Sequence, residues 1–322
     1  MIRRVALILA IAAAFAAAQT KPIPVIFDTD IGDDIDDALA LALALQSPEL
    51  DVRAVTTVID RTTERTRLAW KELGLYARRD VVLGTGADEP LLDPVRPMRA
   101  PQFQVLTPED VAPEAANRRA ADVIIDTLLR SDQKITVIPV GPLTNIALAL
   151  KLDPRIKSKI ERIVLMGGAF TMLTPEYNIM RDRIAAEIVF RSGVPITAVG
   201  LDVTTKCKLE GRDLDRLRAA DNPASRFLFR LIQLWQDGHP NQFPTLHDPL
   251  AVASVVHPNV IETQRGSVAV ETASPLTYGI TMFTPADQVK GPATTYVARN
   301  VNVRGFLDMF VERLSAPPRS AK

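Results

Sequence analysis

Six aspartates fall within the ten residues from Asp28 to Asp37, in the run DTDIGDDIDDA. Packing that many carboxylates together costs Coulomb energy unless a cation neutralises them. Oxygen-only donors on a Gly-containing turn suit calcium, with magnesium second. A lone Asp36 would read as a helix-start residue, since a helix N-terminus favours a carboxylate by up to ~1 kcal/mol. Six acids within ten residues do not reduce to that. Nor is the run an EF-hand loop, which needs glycine at its sixth place and glutamate at its twelfth. Counting from Asp28, Gly32 stands fifth and Leu39 twelfth. The single cysteine, Cys207, excludes an intramolecular disulfide and any Cys-rich metal site.

The elements that must carry these acids are legible in outline. Short β-branched apolar runs alternate with helical patterns. The strand candidates are IPVIFD, VRAVTTV, VVLG, KITVIPVG, RIVLMGG and ITAVGLDV. Between them lie DDALALALALQ, ERTRLAWKELGLYAR, AANRRAADVIIDTLLR, LTNIALALK and RDRIAAEIVFRSG. Continuous apolar strands joined by helices predict an α/β fold: one domain with an open, mostly parallel central sheet and helices on both faces. Ligands of such sheets bind at the carboxyl ends of the strands, which is where Asp28 and Asp30 fall. After about Leu209 the pattern becomes helical (LDRLRAA, RFLFRLIQLWQD, HDPLAVASVV), then β-rich (SVAVET, TTYVARNVN), and the tail APPRSAK reads as frayed.

The ends and the charge narrow the setting. Arg3 and Arg4 precede an apolar run from Val5 to Ala18 that closes on small residues, the pattern of a signal peptide cleaved after Ala18. The run is shorter than the ~20 apolar residues of a membrane span. Residues 1–18 are thus expected to be a leader and 19–322 the mature domain, secreted or periplasmic and not held in a membrane after cleavage; an uncleaved N-terminal anchor is the alternative reading. Lysine plus arginine and aspartate plus glutamate number 38 each. With no basic excess, no nucleic-acid partner is expected.

DTDIGDDIDDALAL resembles the DxDPGxDDAxAL signature of the inosine–uridine preferring nucleoside hydrolase family, with Ile for Pro and two additional residues before the last aspartate pair. Three further blocks agree in order: VGPLTNIALAL, ERIVLMGGAF followed by PEYNI, and HDPLAVA. The similarity runs from about Pro22 to Leu314. It implies calcium-dependent hydrolysis of the N-glycosidic bond of purine or pyrimidine ribonucleosides, as in nucleoside salvage, and it allows a homo-oligomer. By the same resemblance Asp30, Asp37, the Val140 carbonyl and Asp248 hold the metal, while Asp30 takes a proton from water as general base. Anionic groups below the sugar then stabilise an oxocarbenium-like transition state. Asp36, Glu176 and Asn178 are implied on the sugar, with Met166 beside it. His247 is the implied leaving-group acid, a role suited to histidine near neutral pH. His239, in the stretch DGHPNQFP, is a second candidate to reach the base, and His257 reads as structural. Leu143 and Asn145 are expected to shape the turn near the metal, and Gly167 and Gly168 to admit backbone close to the ligand.

Departures from the family pattern cluster on the base side. The two-residue insertion leaves Asp33 and Asp34 without a role, and Asp34 could stand in for Asp36. The stretch TTVIDRTT has Asp60 and Arg61 where relatives carry Gly-Asn. PVRPMRAPQFQV replaces a glycine- and histidine-rich stretch, and the segment from Met166 to Glu176 is short. Two other readings stay open at this level. One is a phosphatase whose nucleophile is the first aspartate of FDTD, although no late acidic pair follows. The other is an exported, non-catalytic calcium- or ligand-binding protein on the same scaffold.

Overall fold

The computed structural model describes residues 21–94 and 97–319; the expected leader lies outside them. The strands are β1 (Ile23–Thr29), β2 (Leu50–Thr57), β3 (Val82–Gly84), β4 (Ile135–Pro139), β5 (Ile160–Met166), β6 (Ile196–Val199), β7 (Ile261–Val270), β8 (Thr281–Pro285) and β9 (Thr295–Val301). They form one sheet in the order β3-β2-β1-β4-β5-β6-β9-β7-β8. Pairing is parallel from β3 through to β9. Only β7 runs against its neighbours β8 and β9. The expected open, mostly parallel sheet is therefore present, with an antiparallel end.

Side chains alternate across a strand, so each inner strand feeds two cores. Val25 and Phe27 pack into one, and Ile26 into the other. The first core lies beneath α1 (Asp36–Gln46), α2 (Thr62–Leu75), α8 (Gly211–Ala219), α9 (Pro223–Gln236), α10 (His247–Val256) and α11 (Val303–Ser315). The second lies beneath α3 (Ala120–Arg130), α4 (Thr144–Leu152) and α6 (Arg183–Phe190). Every residue of α1 is buried, and all of α10 after His247. Their Ala-rich sequences let the two helices pack directly on each other. Their first turns, carrying Asp36, Asp37 and Asp248, meet at the carboxyl ends of the strands. Two short helices, α5 (Tyr177–Arg181) and α7 (Leu201–Thr204), complete that rim.

Two sequence expectations are corrected, and two elements are added. ITAVGLDV is not one strand: β6 stops at Val199 and α7 begins after Gly200. A Cβ at Gly200 would lie 2.5 Å from the Gly168 carbonyl oxygen, and the Asp202 carboxylate accepts from the Phe170 and Thr171 N–H groups. The helix α11 and the strand β8 were not anticipated. Of the tail expected to be frayed, residues 316–319 are tied down, and residues 320–322 lie outside the described residues. Gln46 donates to the Ala316 and Pro317 carbonyls and accepts from the Arg319 N–H.

Candidate active site

A cavity of about 310 Å³ opens where β1, β4 and β5 end. Fourteen residues line it, among them Asp30, Asp36, Asp37, Val140, Met166, Glu176, Asn178, His247 and Asp248. The acids expected to work together thus share one space, although strands and helices far apart in sequence supply them. Asp30 is at the end of β1. Asp36 and Asp37 open α1, and Asp248 opens α10.

Asp36, Asp37 and Asp248 each offer a carboxylate oxygen within 4.8 Å of the others, and each is buried. Burial pushes all three well above the usual carboxylate range, and repulsion from neighbouring aspartates, Asp30 and Asp34 among them, adds to it. Asp30 is raised to about 7 by burial, against the opposing charge of Arg65. A cation among these groups would draw all four back to the ionised form. A set of hard oxygen donors too crowded to ionise alone fits a divalent cation. The trio includes Asp36, which the resemblance puts on the sugar, and leaves Asp30 beside it.

The loop that presents Asp30 is held from below and from the side. Asp28 does not reach the cavity. Its Oδ1 accepts from Thr56 Oγ1 and from Asn145 Nδ2, which places Asn145 under the turn as expected. Burial raises Asp28 to about 7, against those two bonds. Thr29 Oγ1 donates to Asp37 Oδ1, joining β1 to α1. The Arg65 side chain, 1% exposed, does the rest. Its Nε donates to the Ile59 and Asp60 carbonyls at 2.7 and 2.8 Å, and its Nη1 to the carbonyls of Asp30 and Ile31. Its Nη2 meets Asp33 Oδ2 at 2.8 Å. Asp33, idle in the sequence reading, is therefore the carboxylate partner of a buried arginine. Gly141 admits the loop from the other side, since a Cβ there would stand 2.7 Å from Asp30 Oδ1.

Glu176 caps α5, accepting from the Asn178, Ile179 and Gly168 N–H groups. Asn178 Nδ2 donates to the Val140 carbonyl at 2.7 Å and to the Met166 carbonyl at 3.2 Å. The Val140 oxygen keeps a second lone pair for a cation. His247 Nδ1 lies 2.7 Å from Thr204 Oγ1, leaving Nε2 as the ring nitrogen available to the cavity. Burial lowers its pKa and the charge of Asp34 opposes the shift. Asp34 Oδ1 accepts from the Ile35 N–H, and its residue is exposed at the mouth.

His239 is not brought to the cavity wall. Its ring stacks on Trp235 at 4.4 Å and 17°, with Nδ1 2.9 Å from the Trp235 carbonyl oxygen. Asp33, Met98, Tyr177 and Leu201 line the cavity with no role assigned from sequence, and Asp34, the alternative to Asp36, lines it too. Tyr177 lies inside the PEYNI block and could have been read from it. Met98 and Arg65 carry no local signal.

The profile of the inosine–uridine preferring nucleoside hydrolase family matches residues 25–308. The chain is 36% identical to the pyrimidine-specific ribonucleoside hydrolase RihA of Salmonella gallinarum over 309 residues, covering 91% of this chain and 98% of the relative. Among solved structures, it is similar to a plant nucleoside hydrolase, with a TM-score of 0.81, 29% identity, and coverage of 92% of this chain and 100% of that one. It is also similar to a purine-preferring ribonucleoside hydrolase from Gardnerella vaginalis, with a TM-score of 0.79, 31% identity, and coverage of 91% and 98%. A match of this extent, over a cavity lined by residues of all four motif blocks, replaces the phosphatase reading. The chain belongs to the inosine–uridine preferring nucleoside hydrolase family and is a hydrolase of N-glycosyl compounds.

Proposed function

We propose that this protein is an exported, calcium-dependent hydrolase that cleaves the N-glycosidic bond of ribonucleosides to ribose and free base. Pyrimidine nucleosides are the first candidates, because the 36% identical relative is pyrimidine-specific by name. The observation that carries the reading is the meeting of Asp30 with the Asp36, Asp37 and Asp248 carboxylates in a cavity that also holds His247.

Asp36, Asp37, Asp248 and the Val140 carbonyl would hold the cation, with Asp30 against it. When bound, a divalent cation supplies Lewis acidity and lowers the pKa of water at the site. Asp30, on a loop fixed by Arg65 and Gly141, is the general base that accepts the proton of the attacking water. Glu176 and Asn178 form the wall along which sugar hydroxyls bind. The carboxylates beneath the ring favour the positive charge that develops at the anomeric carbon. His247, oriented through Nδ1 by Thr204, presents Nε2 toward the departing base.

Release of reducing sugar from uridine, cytidine, inosine, adenosine and guanosine tests this, with calcium and with chelator. Cleavage should require calcium, and Asp30→Asn should lower kcat by at least ~100-fold. Calcium-independent cleavage, or an Asp30→Asn variant as active as the parent, would refute it. A protein that binds calcium tightly and cleaves nothing would favour the binding-protein reading.

A further inference from the structure

The turn that departs from the family pattern, Ile59-Asp60-Arg61, reaches across to the cavity wall. All three residues are left-handed, with φ of 54°, 52° and 53°. Aspartate tolerates that region, but β-branched isoleucine does so only under constraint. Arg65 supplies the constraint from below, through the Ile59 and Asp60 carbonyls.

Above the turn, both side chains grip the backbone of Met98. The Met98 N–H donates to Asp60 Oδ2 at 2.7 Å, and Arg61 Nη2 donates to the Met98 carbonyl at 2.7 Å. Both backbone groups of one residue are thus held by adjacent side chains of another loop. The Arg61 guanidinium also lies over the Phe103 ring at 4.9 Å. Phe103 in turn presses on Gly32, where a Cβ would meet the ring at 2.4 Å. Gln102 follows in the same segment and donates to the Asp34 carbonyl at 2.6 Å. The segment around Met98 is therefore bound to the aspartate loop at several points.

Met98 lines the cavity, yet is 37% exposed. That combination puts it at the mouth, away from the buried metal-binding acids. A ribonucleoside with its sugar over those acids directs its base toward the mouth. We propose that Met98 is a specificity-determining residue that bears on the base, and that Asp60 and Arg61 are positioning residues that fix it there. The inference rests on the nucleoside reading of the cavity. A thioether side chain is polarizable and packs well against aromatic ring edges, so it suits a planar heterocycle.

Steady-state kinetics on uridine and inosine, with calcium supplied, test it through Met98→Ala, Asp60→Gly and Asp60→Asn. Met98→Ala removes contact made equally before and during reaction. It should raise KM for uridine roughly tenfold while kcat changes by less than about twofold. The opened space should also shift the kcat/KM ratio toward the larger base of inosine, by about fivefold. Asp60→Gly keeps the left-handed turn without strain but frees Met98, and should reproduce both changes. Asp60→Asn still accepts from the Met98 N–H and should restore the parent ratio. KM values and a base ratio untouched by Met98→Ala would overturn the role of Met98. A loss of kcat in Asp60→Gly that is equal on both bases would overturn the clamp and leave a merely structural turn. A parent protein that cleaves neither nucleoside would instead refute the nucleoside reading itself, and this inference with it.

Discussion

Replacing Arg65 by methionine should disable the site from a position that touches no substrate. The side chain bridges the β1–α1 loop and the β2–α2 loop. It satisfies carbonyls of Asp30, Ile31, Ile59 and Asp60 and the carboxylate of Asp33. Arg65 and Asp33 are 1% and 11% exposed as side chains, so solvent screening is slight. Removing one partner of such a buried pair typically costs ~3–5 kcal/mol, because the other charge is left without compensation. The individual hydrogen bonds would sum to more, but they share one rigid group and do not add. Methionine fills the volume and supplies none of the donors. The loss is a large share of the ~5–15 kcal/mol that holds a domain folded.

The catalytic loss should accompany it. A displacement of about 1 Å at a reacting group can cost on the order of 100-fold in rate, and one of the released carbonyls belongs to Asp30 itself. Lysine at the same place keeps the charge but not the planar fork. It can pair with Asp33 or reach one loop, not both, and should recover less than half of the lost stability. Urea unfolding at constant m-value reads the stability change, and uridine cleavage with calcium reads the rate. An Arg65→Met protein within ~1 kcal/mol of the parent and with kcat within about fivefold would refute the bridging argument. Full recovery by Arg65→Lys would show that charge alone mattered.

Other positions give shorter tests. Gly141→Ala puts a Cβ 2.7 Å from Asp30 Oδ1 and 3.0 Å from the Asp30 nitrogen; overpacking of that kind costs ~1–3 kcal/mol, so thermal melting should show lower stability together with reduced kcat. Thr204→Val removes the partner of His247 Nδ1; with a hydrogen bond worth ~1 kcal/mol, kcat/KM on uridine should fall about fivefold, and an unchanged value would argue against an oriented imidazole. Glu72 is buried with neither carboxylate oxygen hydrogen-bonded, and burial pushes its pKa well above the usual 4.5. Its folded-state value exceeds its unfolded one, so its stability contribution is complete below pH 4.5 and is lost as pH rises toward the folded-state value. The melting temperature of Glu72→Gln relative to the parent should therefore climb as pH is raised from 4.5, and a pH-independent difference would refute the assignment.

The part of the site legible in sequence is the part whose physics is local. Asp30, Asp36 and Asp37 lie within eight residues on one strand–turn–helix unit, and their repulsion is visible before any fold is known. Asp248 has no such local signal: only the resemblance of HDPLAVA to a family block implied it, and the structure puts it at the start of α10, against the same cavity. Met166, Glu176 and Asn178 were named through the motif blocks, but the wall at the mouth was not legible, because it depends on contacts between loops that sequence spacing does not connect. Asp33 looked surplus until Arg65, 32 residues on, proved to be its partner. Asp60 and Arg61 stood out only as a departure from the Gly-Asn of relatives, and a left-handed turn brings both to the Met98 backbone. His239 looked able to reach the base, yet the preceding helical turn offered Trp235 as a stacking partner. The α11 helix was missed for a related reason: its apolar face is defined by docking on α1 and α8 rather than by the strand–helix alternation that revealed the others. Metal-site acids must sit close together whatever the substrate, so they persist as a motif. Base-side walls need only converge in space, and the turn at Asp60 shows how a different set of residues can converge on the same cavity.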